Sequence, residues 1–282
     1  MSNREIISEL NNLDLSTYPY KEVKELVSKF QPKILTLTIS QGCVIERIRP
    51  NVDVFERKEV SYKPYIMNKS PQRATLPRKT AFYGTLCHEA EPTMNTRYIA
   101  LLEASKLLRK GAGENGEEQY TLSRWVTNKP MKLAVIVDES YFNDVNNNRL
   151  LIMAKQEWER RKTFLDEPLQ YNEYSEYVTS QFARQVTEDY EYIISATIAE
   201  MLMYASGLDG VVYPPVQSRG EYGMNVALRP NVADAKLILI DVHEMKYVQR
   251  NGEGHLGFTK TGVPTDVDAR GMKCWKYNEW KR

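Results

Sequence analysis

The chain has 282 residues, of which 42% are hydrophobic, and its 38 Lys and Arg residues nearly balance its 37 Asp and Glu residues. This length suffices for a large domain with a sizeable core, and the balanced charge excludes a global basic field, so nucleic acid is not indicated as a partner. No apolar run approaches the roughly 20 residues that span a bilayer, and the polar N-terminus does not resemble a signal peptide. We therefore expect a soluble, cytoplasmic protein with no membrane partner.

Two amphipathic helical segments are predicted over residues 4–30. They are interpreted as part of an N-terminal helical appendage over residues 1–40. Alternating side chains from residue 33 to residue 39 predict a strand. A turn then leads into a second short strand, which ends at Arg47 and Arg49.

A long, proline-containing loop region is predicted over residues 50–80. Loops of this length within a domain are usually functional or disordered. A strand follows over residues 81–86. After it, Asn95 is predicted to cap a helix over residues 96–110, whose last turns carry cations that suit the helix dipole.

The segment Gly111–Gly116 matches the glycine pattern GxGxxG of dinucleotide sites. That pattern requires a strand before it and a helix after it. Here a predicted helix comes first and a predicted strand follows, so we interpret the segment as a connecting loop.

Residues 120–126 and 131–137 predict two strands, which the turn at Asn128-Lys129-Pro130 would join as a hairpin. The charged and aromatic residues 149–185 predict a helical insertion with a break at Pro168. This insertion is interpreted either as an accessory surface for self-association or a protein inhibitor, or as a helical lid packed on its own domain.

Residues 186–206 show the clearest helical pattern, and Gly207 is predicted to cap that helix. Further strands are predicted over residues 209–213, 224–228, 236–242 and 245–248. The main domain is assigned to residues 41–250 and a C-terminal tail to residues 251–282. The irregular mixture of strands and helices predicts an α+β fold rather than a regular series of βαβ units.

Glu103 is the sharpest functional candidate, because it is an acid inside an apolar helical run. We expect it to be buried, and a buried carboxylate is costly unless it is paired, so such residues cluster at functional sites. The alternative is a solvent-facing glutamate on an ordinary helix.

Arg47 and Arg49 alternate with Ile48 and are therefore predicted to share one side of a strand. Two guanidinium groups there suit a phosphate or carboxylate, although exposed strand-edge charges show the same pattern. Tyr83 lies in a predicted strand, where an aromatic residue by default packs in the core.

The remaining polar candidates carry weaker signals. Ser218, Arg219 and Asn225 lie around a loop between two predicted strands, where most polar residues are simply solvated. The cysteines and histidines are scattered and show no metal-binding spacing, so no metal is expected.

Six segments follow one another along residues 43–242: Glu46-Arg47-Ile48-Arg49, Gln72-Arg73-Ala74-Thr75, Phe82-Tyr83-Gly84, Leu102-Glu103-Ala104, Gly207–Pro214 and Asn225–Pro230. Their order and spacing resemble the RES domain family, the toxin half of bacterial RES–Xre toxin–antitoxin pairs. That family folds like ADP-ribosyltransferases and degrades NAD, and some members are NAD phosphorylases. The resemblance therefore implies an ADP-ribosyltransferase-like α+β fold of mixed sheets with flanking helices.

The resemblance also implies roles for single residues. It makes Arg47, Tyr83 and Glu103 the catalytic residues. The residues that it implies for NAD binding are Arg49, Arg73, Ser218 and Asn225. Two positions depart from the family pattern, because Pro215 stands where a serine is common and Thr75 stands where an asparagine is common.

The function implied is cleavage of the nicotinamide–ribose bond of NAD, by an NAD phosphorylase or glycohydrolase that needs no metal. The alternatives are an ADP-ribosyltransferase that modifies a macromolecule and an inactive binding protein of the same fold. The implied partners are NAD, inorganic phosphate as an acceptor, an Xre-like antitoxin and a second copy of the chain in a homo-oligomer.

Overall fold

The computed structural model describes the chain over residues 1–30, 34–50, 54, 56–87, 94–110, 113–143, 148–162, 168–216, 223–267 and 273–279. The strands are β1 (Thr36–Ile39), β2 (Val44–Arg49), β3 (Phe82–Cys87), β4 (Gly116–Thr127), β5 (Met131–Val135), β6 (Gly210–Tyr213), β7 (Met224–Leu228), β8 (Leu237–Arg250), β9 (Glu253–Val267) and β10 (Lys273–Glu279). The helices are α1 (Asn3–Asn12), α2 (Tyr20–Lys29), α3 (Arg57–Val60), α4 (Met94–Ala104), α5 (Lys106–Lys110), α6 (Arg149–Lys162), α7 (Pro168–Ala183), α8 (Ile193–Glu200) and α9 (Pro230–Lys236).

The described strands form one mixed sheet in the order β1-β5-β6-β7-β3-β2-β4-β8-β9-β10. Within it β5 and β6 run parallel, and the other described neighbours pair antiparallel. Helices surround a sheet built mainly from antiparallel pairs, so the prediction of an α+β fold is confirmed.

Apolar side chains cover both faces of the central strands. In β6, Val211 packs in one core cluster with the helices α1, α2, α7 and α8, whereas its neighbour Val212 packs in a second cluster with α6 and α9. Successive residues of a strand point to opposite faces, so this division places a core on each side of the sheet. A third, smaller cluster lies where α4 and α5 meet β4 and β8.

The N-terminal helices contribute to one of these cores. Ser2 caps α1, because its hydroxyl accepts a hydrogen bond from the Glu5 amide and the Glu5 carboxylate accepts one from the Ser2 amide. Ile6 of α1 and Val23 of α2 are fully buried in the cluster that also contains residues of β6 and β7. Residues 36–39 form β1, which pairs with β5. The domain boundaries assigned from the sequence stay a prediction.

The predicted hairpin of residues 120–126 and 131–137 is wrong. Both segments form strands, but β4 pairs with β2 and β8, whereas β5 pairs with β1 and β6. Leu133 and Ala134 of β5 are adjacent and both fully buried. A strand buried on both faces belongs in the interior of a sheet with a partner on each side, and the local turn signal does not show this.

Two strand predictions near the C-terminus also need correction. The predicted strands 236–242 and 245–248 form one continuous strand, β8, which begins at Leu237 after the end of α9 at Lys236 and whose pairing with β9 shifts in register between Glu244 and Met245. Such an irregularity changes which residues of the strand are apolar and which are polar along the alternating pattern, and for this reason the sequence predicted two strands instead of one. The C-terminal tail contains the strands β9 and β10.

The predicted helix over residues 96–110 breaks into α4 and α5 at Ser105. The Ser105 hydroxyl accepts a hydrogen bond from the Leu108 amide at 2.9 Å, so Ser105 caps a new helix. In the preceding loop region, which is mostly irregular, the structure adds α3 and a 3₁₀ turn at Tyr65–Met67.

Residues 186–206, which show the clearest helical pattern, contain three kinds of helical turn. A 3₁₀ turn at Asp189–Tyr192 leads into α8, and a π-helical turn follows at Met201–Ala205. Gly207 then adopts a φ of +67°, which confirms the position predicted for the left-handed cap.

The charged and aromatic segment forms two helices, α6 and α7. Trp158 is 1% exposed and meets Phe142 with ring centroids 5.5 Å apart, and Tyr174 meets Phe30 at 5.1 Å. These aromatic residues therefore pack within their own chain. Residues 163–167 of the segment lie outside the described residues, and self-association stays a prediction.

Candidate active site

A cavity of about 210 Å³ lies between α4 and the strands β2, β3 and β7. The residues that line it and matter for its chemistry are Glu46, Arg47, Tyr83, Thr85, Glu103 and Asn225. Arg47, Tyr83 and Glu103 come from three separate segments of the sequence, and the fold brings them to one cavity.

A row of polar residues crosses the sheet at this cavity. Asn225 of β7 is opposite Thr85 of β3, which is opposite Glu46 of β2. The row continues through Arg124 of β4 to Asp241 of β8. Residues directly opposite in neighbouring strands point to the same face, so these five side chains are neighbours on one side of the sheet.

The guanidinium of Arg47 lies where β2 and β3 separate. Their ladder ends one residue before Arg47, and Arg47 Nη1 donates a hydrogen bond to the carbonyl oxygen of Tyr83. Arg47 Nε is buried and has no hydrogen-bond partner among the described residues. Burial, with a smaller contribution from Arg49, lowers the pKa of Arg47 to about 9. The group stays charged at neutral pH, and a bound anion would compensate its desolvation.

The hydroxyl of Tyr83 is fixed by the loop that precedes β3. It accepts a hydrogen bond from the Ala74 amide at 3.2 Å and shares another with Thr75 Oγ1 at 3.0 Å. Burial raises the pKa of Tyr83 to about 12, so the hydroxyl is protonated at neutral pH. Thr75 therefore helps to orient Tyr83.

Glu103 is exposed, which contradicts the burial expected from its apolar neighbours in the sequence. The helix α4 directs Ile99 and Leu101, each 1% exposed, into the protein, and Glu103 lies on the side that borders the cavity. Its Oε1 accepts a hydrogen bond from Asn225 Nδ2 at 3.2 Å. The carboxylate thus lies at the edge of the cavity, accessible to solvent and bonded to Asn225.

Asn225 connects Glu103 to the polar row. Thr85 Oγ1 donates to Asn225 Oδ1 at 3.4 Å, which leaves the amide nitrogen of Asn225 to donate to Glu103. Asn225 is 6% exposed, and a buried amide with both ends bonded has one preferred orientation.

Glu46 also lines the cavity, and the sequence analysis assigned it no role. Its side chain is fully buried, and its Oε1 lies 3.0 Å from Arg97 Nε and 3.7 Å from Arg124 Nε. Burial raises the pKa of Glu46, and Arg97 and Arg124 oppose that shift. An acid that directly follows the apolar residues Val44 and Ile45 in a strand was a signal, but its two arginine partners lie far away in the sequence.

A second cavity of about 520 Å³ shares Arg47, Tyr83 and Glu103 with the first and extends to Arg49 and Lys63. Arg49 Nη1 donates to the Glu59 carbonyl at 3.1 Å, whereas Arg49 Nε and Nη2 are buried without hydrogen-bond partners among the described residues. Burial lowers the pKa of Arg49. Two guanidinium groups thus face a space that continues from the first cavity.

Arg73 is not among the described residues that line either cavity. Its Nη1 donates to the carbonyl oxygens of Phe182 and Arg184, and its guanidinium lies 4.9 Å from the ring centroid of Tyr192. Arg73 therefore braces the loop before β3 against the end of α7. Ser218 and Arg219 lie outside the described residues.

A scan of the chain against protein-family models finds no match, and neither does a search of curated proteins. Within the described ranges, no helix combines the length and apolarity needed to cross a membrane. The same residues contain no group of three His, Cys, Asp or Glu side chains placed to hold a metal ion.

Proposed function

We propose that the chain is an enzyme that cleaves the nicotinamide–ribose bond of NAD, as its resemblance to the RES domain family implies. The observation that carries this proposal is the meeting of Arg47, Tyr83 and Glu103 at one cavity. Arg47 lies in β2, Tyr83 in the neighbouring strand β3 and Glu103 in α4. Unrelated polar residues from three separate elements would not be expected to meet at one cavity.

Cleavage of this bond requires a negative charge near the ribose and a positive charge near the phosphates, and the cavity contains a carboxylate and a guanidinium group. Departure of nicotinamide leaves a ribose with oxocarbenium character, as in glycoside hydrolysis. In the proposed complex, Glu103 lies beside the ribose, where its carboxylate accepts a hydrogen bond from a hydroxyl group and stabilises the positive charge. Arg47 binds the pyrophosphate, and the ring of Tyr83 stacks on nicotinamide.

The second cavity supports a substrate larger than a mononucleotide. Its volume of about 520 Å³ lies within the range of about 300–1,000 Å³ that is common for ligand pockets. Arg49 and Lys63 supply further positive charge there, which suits phosphate groups.

The acceptor in the proposed reaction is water or inorganic phosphate. Ser218 and Arg219, together with Asn225, are the residues that we assign to the incoming group. A role as the toxin of a pair with an Xre-like antitoxin stays a prediction.

A second candidate is transfer of ADP-ribose to a macromolecule, which uses the same donor chemistry. The observation in its favour is the exposure of Glu103, because an acid at the edge of a cavity is accessible to a large acceptor.

The test is a product analysis after incubation of the chain with NAD in phosphate buffer and in phosphate-free buffer. A phosphorylase yields nicotinamide and ADP-ribose 1″-phosphate only when phosphate is present, whereas a glycohydrolase yields free ADP-ribose in both buffers. ADP-ribose found only on added protein or nucleic acid supports the second candidate. Intact NAD under all of these conditions, with folded protein, would overturn the proposal.

A further inference from the structure

The chemistry proposed above does not explain why Glu46 is buried at the cavity. Its side chain is 0% exposed, and its Oε2 has no hydrogen-bond partner among the described residues. A buried carboxylate is costly unless cations compensate it, and here Arg97 and Arg124 do so through Oε1. The cost indicates that the position of this charge serves a purpose.

The two arginines attach Glu46 to different parts of the fold. Arg124 lies directly opposite Glu46 on the neighbouring strand β4, so that contact stays within the sheet. Arg97 lies on α4, and its Nε donates to Glu46 Oε1 at 3.0 Å. The Arg97 contact therefore ties the helix to the sheet.

The contact between Arg97 and Glu46 lies close to Glu103, the proposed catalytic acid. Arg97, Ala100 and Glu103 follow one another at intervals of three residues, which places them along one side of α4. Ala100 and Glu103 both line the cavity, together with Glu46 itself. A shift of α4 on the sheet would therefore move the Glu103 carboxylate relative to Arg47 and Tyr83.

We propose that Glu46 is a positioning residue, which holds α4 through Arg97 and thereby fixes Glu103 at the cavity. Its effect on turnover rests on the proposed function, but its effect on α4 does not. A misplacement of about 1 Å can cost roughly 100-fold in rate, so a loosened helix is sufficient to impair catalysis.

Asp241 offers a matched control in the same polar row. Its Oδ2 lies 3.0 Å from Arg124 Nη1, so it is also a carboxylate paired with an arginine, and its side chain is 14% exposed. The Asp241 contact with Arg124 joins β8 to β4, and its contact with His243, whose Nε2 lies 3.0 Å away, stays within β8, so neither contact reaches α4. Asp241→Asn therefore removes a comparable charge and leaves the contact between Glu46 and Arg97 of α4 in place.

The first measurement is steady-state nicotinamide release from NAD. Glu46→Gln keeps the shape and removes the charge, and we expect kcat to fall about tenfold or more while KM for NAD changes less than twofold. Arg97→Gln, at a partly exposed position that is more tolerant of change, gives the same pattern. The double variant is no slower than the slower single variant, because both changes break the same hydrogen bond between Arg97 and Glu46. Asp241→Asn keeps kcat within twofold of the unchanged chain.

The second measurement is hydrogen exchange of the α4 amides, which needs no activity. We expect residues 94–104 to exchange faster in Glu46→Gln and in Arg97→Gln, and at the original rate in Asp241→Asn. Unchanged exchange of α4 in both variants would overturn the inference, and so would a kcat that is retained although α4 exchanges faster. If the original chain releases no nicotinamide, the proposed function fails, and the exchange measurement still decides whether Glu46 holds α4.

Discussion

The cavity between β2, β3 and α4 and the helical segment of α6 and α7 have similar compositions but bury different groups. Both are rich in charged and aromatic residues. At the cavity, Glu46 is fully buried and Arg47 Nε is shielded from solvent, whereas in the helical segment Trp158 and Tyr174 are buried and the charges lie outside. Composition alone does not distinguish these two regions, whereas the burial of charged groups at the cavity does.

Arginines lower the pKa of an acid in both regions, but the net pKa shifts of the two acids have opposite signs. Glu157 of α6 accepts hydrogen bonds from Arg160 and Arg161, and the Arg160 bond contributes most to lowering the pKa of Glu157 to about 2. Burial raises the pKa of Glu46 despite its two arginines. Exposed pairs such as that of Glu157 contribute little to stability, so the helical segment depends on its aromatic core.

The largest expected effect on stability is in the helical segment. Trp158→Ala removes a side chain that is 1% exposed, and the cavity left behind should cost about 3–5 kcal/mol of the free energy of unfolding. Glu159→Ala, at the exposed neighbouring position, should change it by less than about 0.5 kcal/mol. Chemical denaturation of both variants measures the difference, and equal midpoints would show that α6 does not depend on Trp158.

The next effect concerns substrate affinity. Arg47→Ala should raise KM for NAD roughly 10- to 100-fold, since a hydrogen bond to a charged group contributes about 1.5–3 kcal/mol. Arg160→Ala, in the exposed pair of the helical segment, should leave KM within twofold. The same KM for both variants in a steady-state assay would contradict the assignment of Arg47 to the pyrophosphate.

The smallest expected effect is on the stability of the protein between pH 10 and pH 12. The pKa of Tyr83, about 12 in the folded chain, lies above the ordinary value of about 10 for tyrosine, so the folded state holds this proton more tightly. Its contribution to stability is therefore complete below about pH 10 and is lost as the pH rises towards 12. Tyr83→Phe should lose less stability than the original chain over that interval.

Denaturation curves at several pH values test this prediction, and Tyr98→Phe serves as the control because Tyr98 is 51% exposed. An equal loss of stability between pH 10 and pH 12 in Tyr83→Phe and in the original chain would show that the Tyr83 hydroxyl is not held as the structure indicates.

Local pattern predicted much of the fold. The alternation of residues 33–39 located β1, and the glycine that follows the helical pattern located the cap at Gly207. The pairing of β4 and β5 could not be predicted from their turn, since each strand finds its partners among residues distant in the sequence. The same limit explains why β8 appeared as two strands, because its irregular register depends on β9.

The candidate site shows the same limit more sharply. The local sequence singled out Glu103 and Arg47, the resemblance to the RES domain family added Tyr83, and the structure brings all three to one cavity. The sequence did not single out Glu46, whose burial depends on Arg97 and Arg124, and it predicted the wrong exposure for Glu103. Periodicity indicates which side of an element is apolar, but it does not indicate where a cavity interrupts the packing.

The measurement that tests the central claim most directly is nicotinamide release from NAD by the original chain and by Glu103→Gln. That substitution keeps the shape of the side chain and removes the charge proposed to stabilise the oxocarbenium-like state. Turnover should fall about 100-fold or more, the scale of losing one well-placed electrostatic contact, while the protein stays folded. Glu176→Gln, at an exposed position of α7, should release nicotinamide at the original rate. Release by Glu103→Gln at the original rate would contradict the account.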